Sequence, residues 1–226
     1  MAFQGFGPKA LPFLKALGFH QNKEWFEANR ATYEDDLKTP MGELVEDLSA
    51  AFAKAKIPLQ GDRKTSVFRI HRDVRFAKDK SPYKTNVGAV LTRGGGKNDP
   101  GLFYVHVAID GCFTGAGFYD LEPDKLARIR AAIVRTPKTW KAMLAKLAGT
   151  GLKLSDDYAM KRPPRGFEGV EDAEIAAVLR LNSLICRRPI PDERLGTPAL
   201  IADLETFAGD ALPLLQFGWS AVIDSR

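Results

Sequence analysis

Along the first sixty residues apolar side chains recur every three or four positions, the repeat of one helix face. Pro8 to Leu17 is a short apolar stretch whose Pro12 falls in a first turn or breaks it. Asn22 is placed to cap a helix over Lys23 to Leu37, with Trp25, Phe26, Tyr33 and Leu37 at helical spacing. Thr39-Pro40 signals another helix start, and Met41, Leu44, Val45, Leu48, Phe52 and Ala55 then mark one face until Pro58 and Gly61.

From Val67 the period changes to two. Phe68, Ile70, Val74 and Phe76 alternate with Arg69, His71, Asp73 and Arg75, which predicts a half-buried strand with its charges on one side. Arg72 is the exception among the apolar positions. Val87 to Thr92 reads as a second strand, followed by the flexible turn Gly94-Gly95-Gly96. Phe103, Val105, Val107 and Ile109 alternate with Tyr104, His106 and Ala108, and Asp110-Gly111 supplies a tight type I′ hairpin into Cys112 to Tyr119. Helical spacing resumes over Pro123 to Val134 and again from Thr136-Pro137 through Trp140, Leu144 and Leu147. Residues 149–169 read as a long loop, Glu171 to Leu184 as a helix, and Thr197-Pro198 opens a helix to about Ala208. This order predicts an α+β fold: a central antiparallel sheet over about residues 65–119, flanked by N-terminal and C-terminal helices in one domain over 1–226.

Composition narrows the class without naming a function. The 226 residues are 45% hydrophobic and 27% charged, which excludes disordered and collagen-like chains. The longest run without a charge, Ala211 to Ile223, falls short of the about 20 residues that span a bilayer. Lys9 and Lys15 interrupt any secretory signal core, and two cysteines, Cys112 and Cys186, are too few for a disulfide framework or a four-thiolate zinc site. The expectation is a soluble cytoplasmic protein with no membrane partner.

Charge changes the picture more. Between Arg63 and Lys97 ten lysines and arginines face only Asp73 and Asp79, a net +8 that leaves −3 for the rest of a chain totalling +5. A smaller cluster, Lys161-Arg162-Pro163-Pro164-Arg165, has no neighbouring acid. Concentrated positive charge of this kind favours anions whatever the fold. Arginine forks suit phosphate and carboxylate oxygens, and Pro82 stiffens the turn that carries Lys80, Tyr83 and Lys84. The same run also reads as a solvated basic edge strand, or as a set of ion pairs joining Asp73 and Asp79 to their neighbours.

The run Phe68-Arg69-Ile70-His71-Arg72-Asp73-Val74-Arg75-Phe76-Ala77-Lys78-Asp79-Lys80-Ser81-Pro82-Tyr83-Lys84-Thr85-Asn86 resembles the central motif of the family called domain of unknown function 2461. Glu24-Trp25-Phe26-Glu27-Ala28-Asn29-Arg30 is similar to that family's amino-terminal helix motif, and Lys161 to Phe167 to a later basic element. The resemblance implies family membership over most of the chain and supplies no activity, cofactor or substrate.

The residues point first to an anion-binding site for a phosphorylated or carboxylated small molecule, built from Arg69, Arg72, Arg75, Lys78, Lys80, Lys84 and Asn86. Trp25, Asn29, Lys161, Arg162 and Arg165 are secondary candidates. One alternative is a nucleic-acid-binding protein, although only Phe76 and Tyr83 interleave the basic residues. Another is a phosphate-ester hydrolase using Asp73 or Asp79 as the acid–base group with His71 or Tyr83 assisting, so catalytic status stays open. No cofactor is expected. Lys97 after the three glycines is followed by Asn98 rather than Ser or Thr, and Gly115-Ala116-Gly117 lacks a third glycine. No metal is expected either, because a cation held by His71, Asp73, Asp79 and His106 would have to compete with Arg69, Arg72 and Arg75 nearby.

Overall fold

A computed structural model describes residues 2–157 and 159–223. Helices and a four-stranded antiparallel sheet make an α+β fold, with the helices flanking the sheet in sequence. The chain gathers into two compact units. Of the described residues the first holds 2–99, 103–114 and 189–207, and the second holds 100–102, 115–157, 159–188 and 208–223.

In the first unit, α1 (Ala10–Phe19) precedes α2 (Lys23–Ala28), where the Asn22 side chain accepts from the Trp25 N–H at 2.8 Å as the capping pattern predicts. The single helix expected over Lys23 to Leu37 is instead broken at Asn29 into α2 and α3 (Arg30–Tyr33). A π-helical turn, Glu34–Lys38, then leads without a cap into α4 (Thr39–Lys54). Pro40 is the cause. It has no N–H to close on the Asp36 carbonyl, so the turn widens and that carbonyl accepts from the Gly7 N–H at 3.0 Å. Leu44, Val45, Leu48 and Phe52 of α4 are fully buried, and Phe52 meets Phe103 edge-on at 5.2 Å between ring centres.

The sheet runs in the order β1 (Asn86–Thr92), β2 (Leu102–Ala108), β3 (Phe113–Phe118), β4 (Leu184–Pro189). The strand expected over Val67 to Phe76 does not form; only single bridges, Val67 to Ala89 and His71 to Tyr83, mark it. The β2–β3 hairpin is present, but its connection is the four residues Ile109 to Cys112 and not a two-residue type I′ turn. Asp110 lacks the positive φ such a turn needs, and the Cys112 carbonyl leaves the hairpin to accept from the Ile190 N–H at 2.8 Å.

The second unit contains α5 (Pro123–Arg135), α6 (Pro137–Gly149) and α7 (Ala173–Leu179), and its sheet strand β4 replaces the end of the helix expected to reach Leu184. Gly117, with φ +136, makes room for β4: a Cβ there would lie 2.1 Å from the Leu184 carbonyl oxygen. After the short α8 (Asp192–Leu195), α9 (Leu200–Val222) runs well past Ala208 and takes Pro213 inside it. Its later half packs Phe217 against Trp140 at 4.9 Å, and the Trp219 indole donates to the Pro100 carbonyl at 2.8 Å. Among the described residues no helix is long and apolar enough to cross a membrane.

Candidate functional site

Residues 66–72 run antiparallel to β1 and to the residues leading into it. Val90 N–H donates to Ser66 O at 3.1 Å and Phe68 N–H to Gly88 O at 2.9 Å. Beyond a shift of two residues, Lys84 N–H donates to Ile70 O and Arg72 N–H to Pro82 O, both at 2.8 Å. That shift sets Arg69 opposite a bulge of extra residues, which is why a regular strand fails here. The alternation still shows in burial as far as Val74: Ile70 is buried and Arg69, His71 and Asp73 are exposed. Phe76 breaks it, standing 96% exposed at the tip of the turn.

The turn itself is closed by its own charges. Asp73 accepts from Arg75 Nε at 3.0 Å and Nη2 at 2.7 Å. Asp79 accepts from the Ser81 hydroxyl at 2.6 Å and the Ser81 N–H at 2.9 Å, and it pairs with Arg72. Lys80 Nζ donates to the Val74 carbonyl at 3.0 Å. The Ser81 hydroxyl and the Arg72 guanidinium hold the Asp79 carboxyl well below the usual range, and Arg75 lowers that of Asp73. Arg72, Arg75 and Lys80 are therefore engaged within the turn, while Lys78 is exposed.

His71 and Tyr83 anchor this turn to α2. Tyr83 is buried with its ring stacked on Phe26 at 4.5 Å, its N–H donates to Gln21 Oε1 at 3.0 Å, and burial raises its phenol above the ordinary value. The His71 ring lies 5.2 Å from Tyr83 and 5.8 Å from Phe26. Trp25 is half-buried and stacks on His20 at 5.1 Å, and the Asn29 amide donates back to the Trp25 carbonyl at 2.9 Å. Lys161, Arg162 and Arg165 are exposed and belong to the second unit.

Three of the expected cations, Arg69, Lys78 and Lys84, remain outside these pairs; Lys78 stands exposed in the turn, while Lys97 joins Arg69 and Lys84. Lys84 Nζ lies 5.5 Å from the centre of the Phe68 ring and Lys97 Nζ 4.7 Å from the same centre. Lys97 also donates to the Val67 carbonyl at 2.8 Å. Burial lowers the pKa of both ammonium groups; Arg69 adds to the effect on Lys84, and Lys84 to that on Lys97, which the Asp62 charge opposes in part. Among the described residues no carboxylate pairs with Arg69, Lys84 or Lys97. Lys97 was absent from the expected site because a glycine turn and the whole of β1 separate it from the motif. Its place in the +8 segment was the available signal.

Beside these cations one side of the sheet is polar and aromatic. Tyr104, His106, Phe113 and Asn86 are half-buried there, whereas Phe103, Val105 and Val107 on the other side are fully buried. Tyr104 Oη lies 3.0 Å from His106 Nδ1, and Phe113 stacks on His106 at 4.6 Å. Asn86 Nδ2 lies 3.4 Å from the same Nδ1. Phe68 meets Tyr104 edge-on at 6.2 Å. Gly88 allows this: a Cβ on it would come 2.5 Å from Tyr104 Oη. Among the described residues no group of three or more His, Cys, Asp or Glu is gathered for a metal ion.

A family model described as conserved hypothetical protein (DUF2461) matches residues 9–217. No curated protein and no solved structure matches the chain.

Proposed function

The chain belongs to the conserved hypothetical protein family DUF2461, and within it we propose that Arg69, Lys84 and Lys97 bind the phosphate or carboxylate of a small molecule. The observation that carries this reading is the pair of half-buried ammonium groups on Phe68 with no carboxylate partner among the described residues. Gathered like charges that lose solvation cost stability until an anion meets them. Asn86, Tyr104 and His106 supply hydrogen-bonding groups next to the charge, suited to the rest of such a ligand.

Calorimetric titration with inorganic phosphate, AMP and citrate tests the reading. Saturable binding of at least one that is lost in Lys84→Met and in Lys97→Met is the expected result. Absence of binding across the panel for the wild-type chain overturns it.

A second reading, nucleic-acid binding, draws on Phe76, whose exposed ring lies 6.0 Å from the Arg75 guanidinium carbon with Lys78 and Lys80 in the same turn. An aromatic face among cations suits base stacking. Its mark is a steep salt dependence of single-stranded RNA or DNA affinity, lost in Phe76→Ser. The hydrolase reading has less support, since Asp73 and Asp79 are held ionised by their own turn and neither is poised to exchange a proton near neutral pH.

A further inference from the structure

Arg130, on α5 in the second unit, takes no part in the site of Arg69, Lys84 and Lys97. It is only 8% exposed. Its Nη2 donates to the Leu181 carbonyl at 2.8 Å, its Nε is buried without an acceptor, and among the described residues no carboxylate pairs with it. Burial lowers its pKa, yet a guanidinium does not give up its proton, so the charge stays and is poorly compensated.

This side chain lines an open cavity of about 390 Å³. Leu121, Pro123 and Leu126 form an apolar wall, while Asn182 and Ser183 bring an amide and a hydroxyl. Asp120 stands on the same lining with φ +49, a left-handed conformation that an aspartate adopts at some cost. Its N–H donates to the Ser183 hydroxyl at 3.4 Å, which joins the strained residue to the other edge of the cavity.

We infer that this cavity binds a small monocarboxylate with an apolar body, its carboxylate directed to Arg130 and its body against Leu121, Pro123 and Leu126. Arg130 offers one positive charge to pair with a single carboxylate, and the Asp120 carboxylate on the same lining further disfavours a dianion such as phosphate. A planar carboxylate also matches the guanidinium fork. The site uses none of the residues of the first unit and stands whether or not the Lys84–Lys97 reading does.

The test is calorimetry on the full chain with isovalerate, its neutral isostere isovaleramide, and inorganic phosphate. Isovalerate binds one to one and isovaleramide does not; Arg130→Met abolishes the binding. Because Arg130→Met removes a buried hydrogen bond and can unfold the chain, Asp120→Asn is the second variant. Removing that negative charge tightens isovalerate by about two- to fivefold, the size of one exposed charge interaction, an effect that structural damage does not produce. Equal binding of acid and amide, preference for phosphate, no binding at all, or weaker isovalerate binding in Asp120→Asn each overturns the inference.

Discussion

Lys84 and Lys97 hold their ammonium groups 5.5 and 4.7 Å from the centre of one aromatic ring, that of Phe68. A ring face attracts a cation, but two on one ring repel each other, and the aromatic contact offsets only part of that cost. An anion that touches both relieves the repulsion.

Replacing either lysine by methionine is expected to weaken phosphate-ligand binding by about tenfold or more, the value of one charge-assisted hydrogen bond. Arg75→Ala leaves the affinity within about twofold, because that guanidinium is engaged with Asp73 in the turn and any contribution to the ligand is a screened surface charge. Isothermal titration of the three variants checks the contrast. Bound anion also favours the charged form of both lysines, so binding takes up protons as pH rises through their lowered pKa values and affinity falls there.

Gly88 and Tyr104 are expected to couple. Adding a methyl in Gly88→Ala drives Cβ against the Tyr104 ring and costs about 1–3 kcal/mol of stability, the usual range for overpacking. In a Tyr104→Ala background most of that cost disappears. Urea unfolding of the four proteins of the double-mutant cycle gives the coupling directly.

Asp79 sets an acid limb for the turn. Its folded pKa lies below the unfolded value of about 3.9. Its contribution to stability is therefore present above that unfolded value and is lost as pH falls toward the folded one. Thermal unfolding followed from neutral pH into acid is expected to show a shallower decline for Asp79→Asn than for wild type.

Both thiols are expected to resist alkylation in the native protein. Cys112 and Cys186 are buried, and burial pushes the Cys186 thiol up to about 12. Reaction with Ellman's reagent should release two equivalents only after denaturant is added.

Lys56→Gly is expected to stabilise the chain by about 1 kcal/mol, since a left-handed non-glycine residue costs on that order. Lys56 has φ +59 just past α4, where Ile57 N–H donates to Phe52 O at 2.8 Å and Lys56 N–H to Ala53 O at 3.2 Å. Those are the two bonds of a Schellman helix end, a position glycine fills without strain. A rise in melting temperature checks it.

Local signals carried far in this chain. The capping Asn22, the proline starts of α5 and α6, the alternation of β2 and the family motif over residues 68–86 all lie within windows of a few residues. Their outcome depends on neighbours in sequence, and that is why they were legible. The charge partition was legible for the same reason, and it located the cations of the proposed site within one segment. What failed were features set by distant partners. Leu184 to Pro189 carries an apolar start and two arginines, a pattern equally suited to the end of a helix; its pairing with β3 depends on the bare backbone at Gly117. Pro40 marked the start of α4 as expected, but the π-helical turn that runs into it unbroken depends on the Asp36 carbonyl finding Gly7.

The order of residues alone settled that the chain is α+β and that its net positive charge comes from one segment, because periodicity and charge are sums over neighbours. Which cations are left outside ion pairs is a different matter. Arg75 looks equivalent to Arg69 in the alternation, and Arg72 is its exception, but the turn brings Asp73 and Asp79 to them, while β1 brings Lys84 and Lys97, thirteen positions apart, to one ring. Electrostatic compensation depends on distance in space, so only the folded chain distinguishes a neutralised arginine from an ammonium group outside any ion pair.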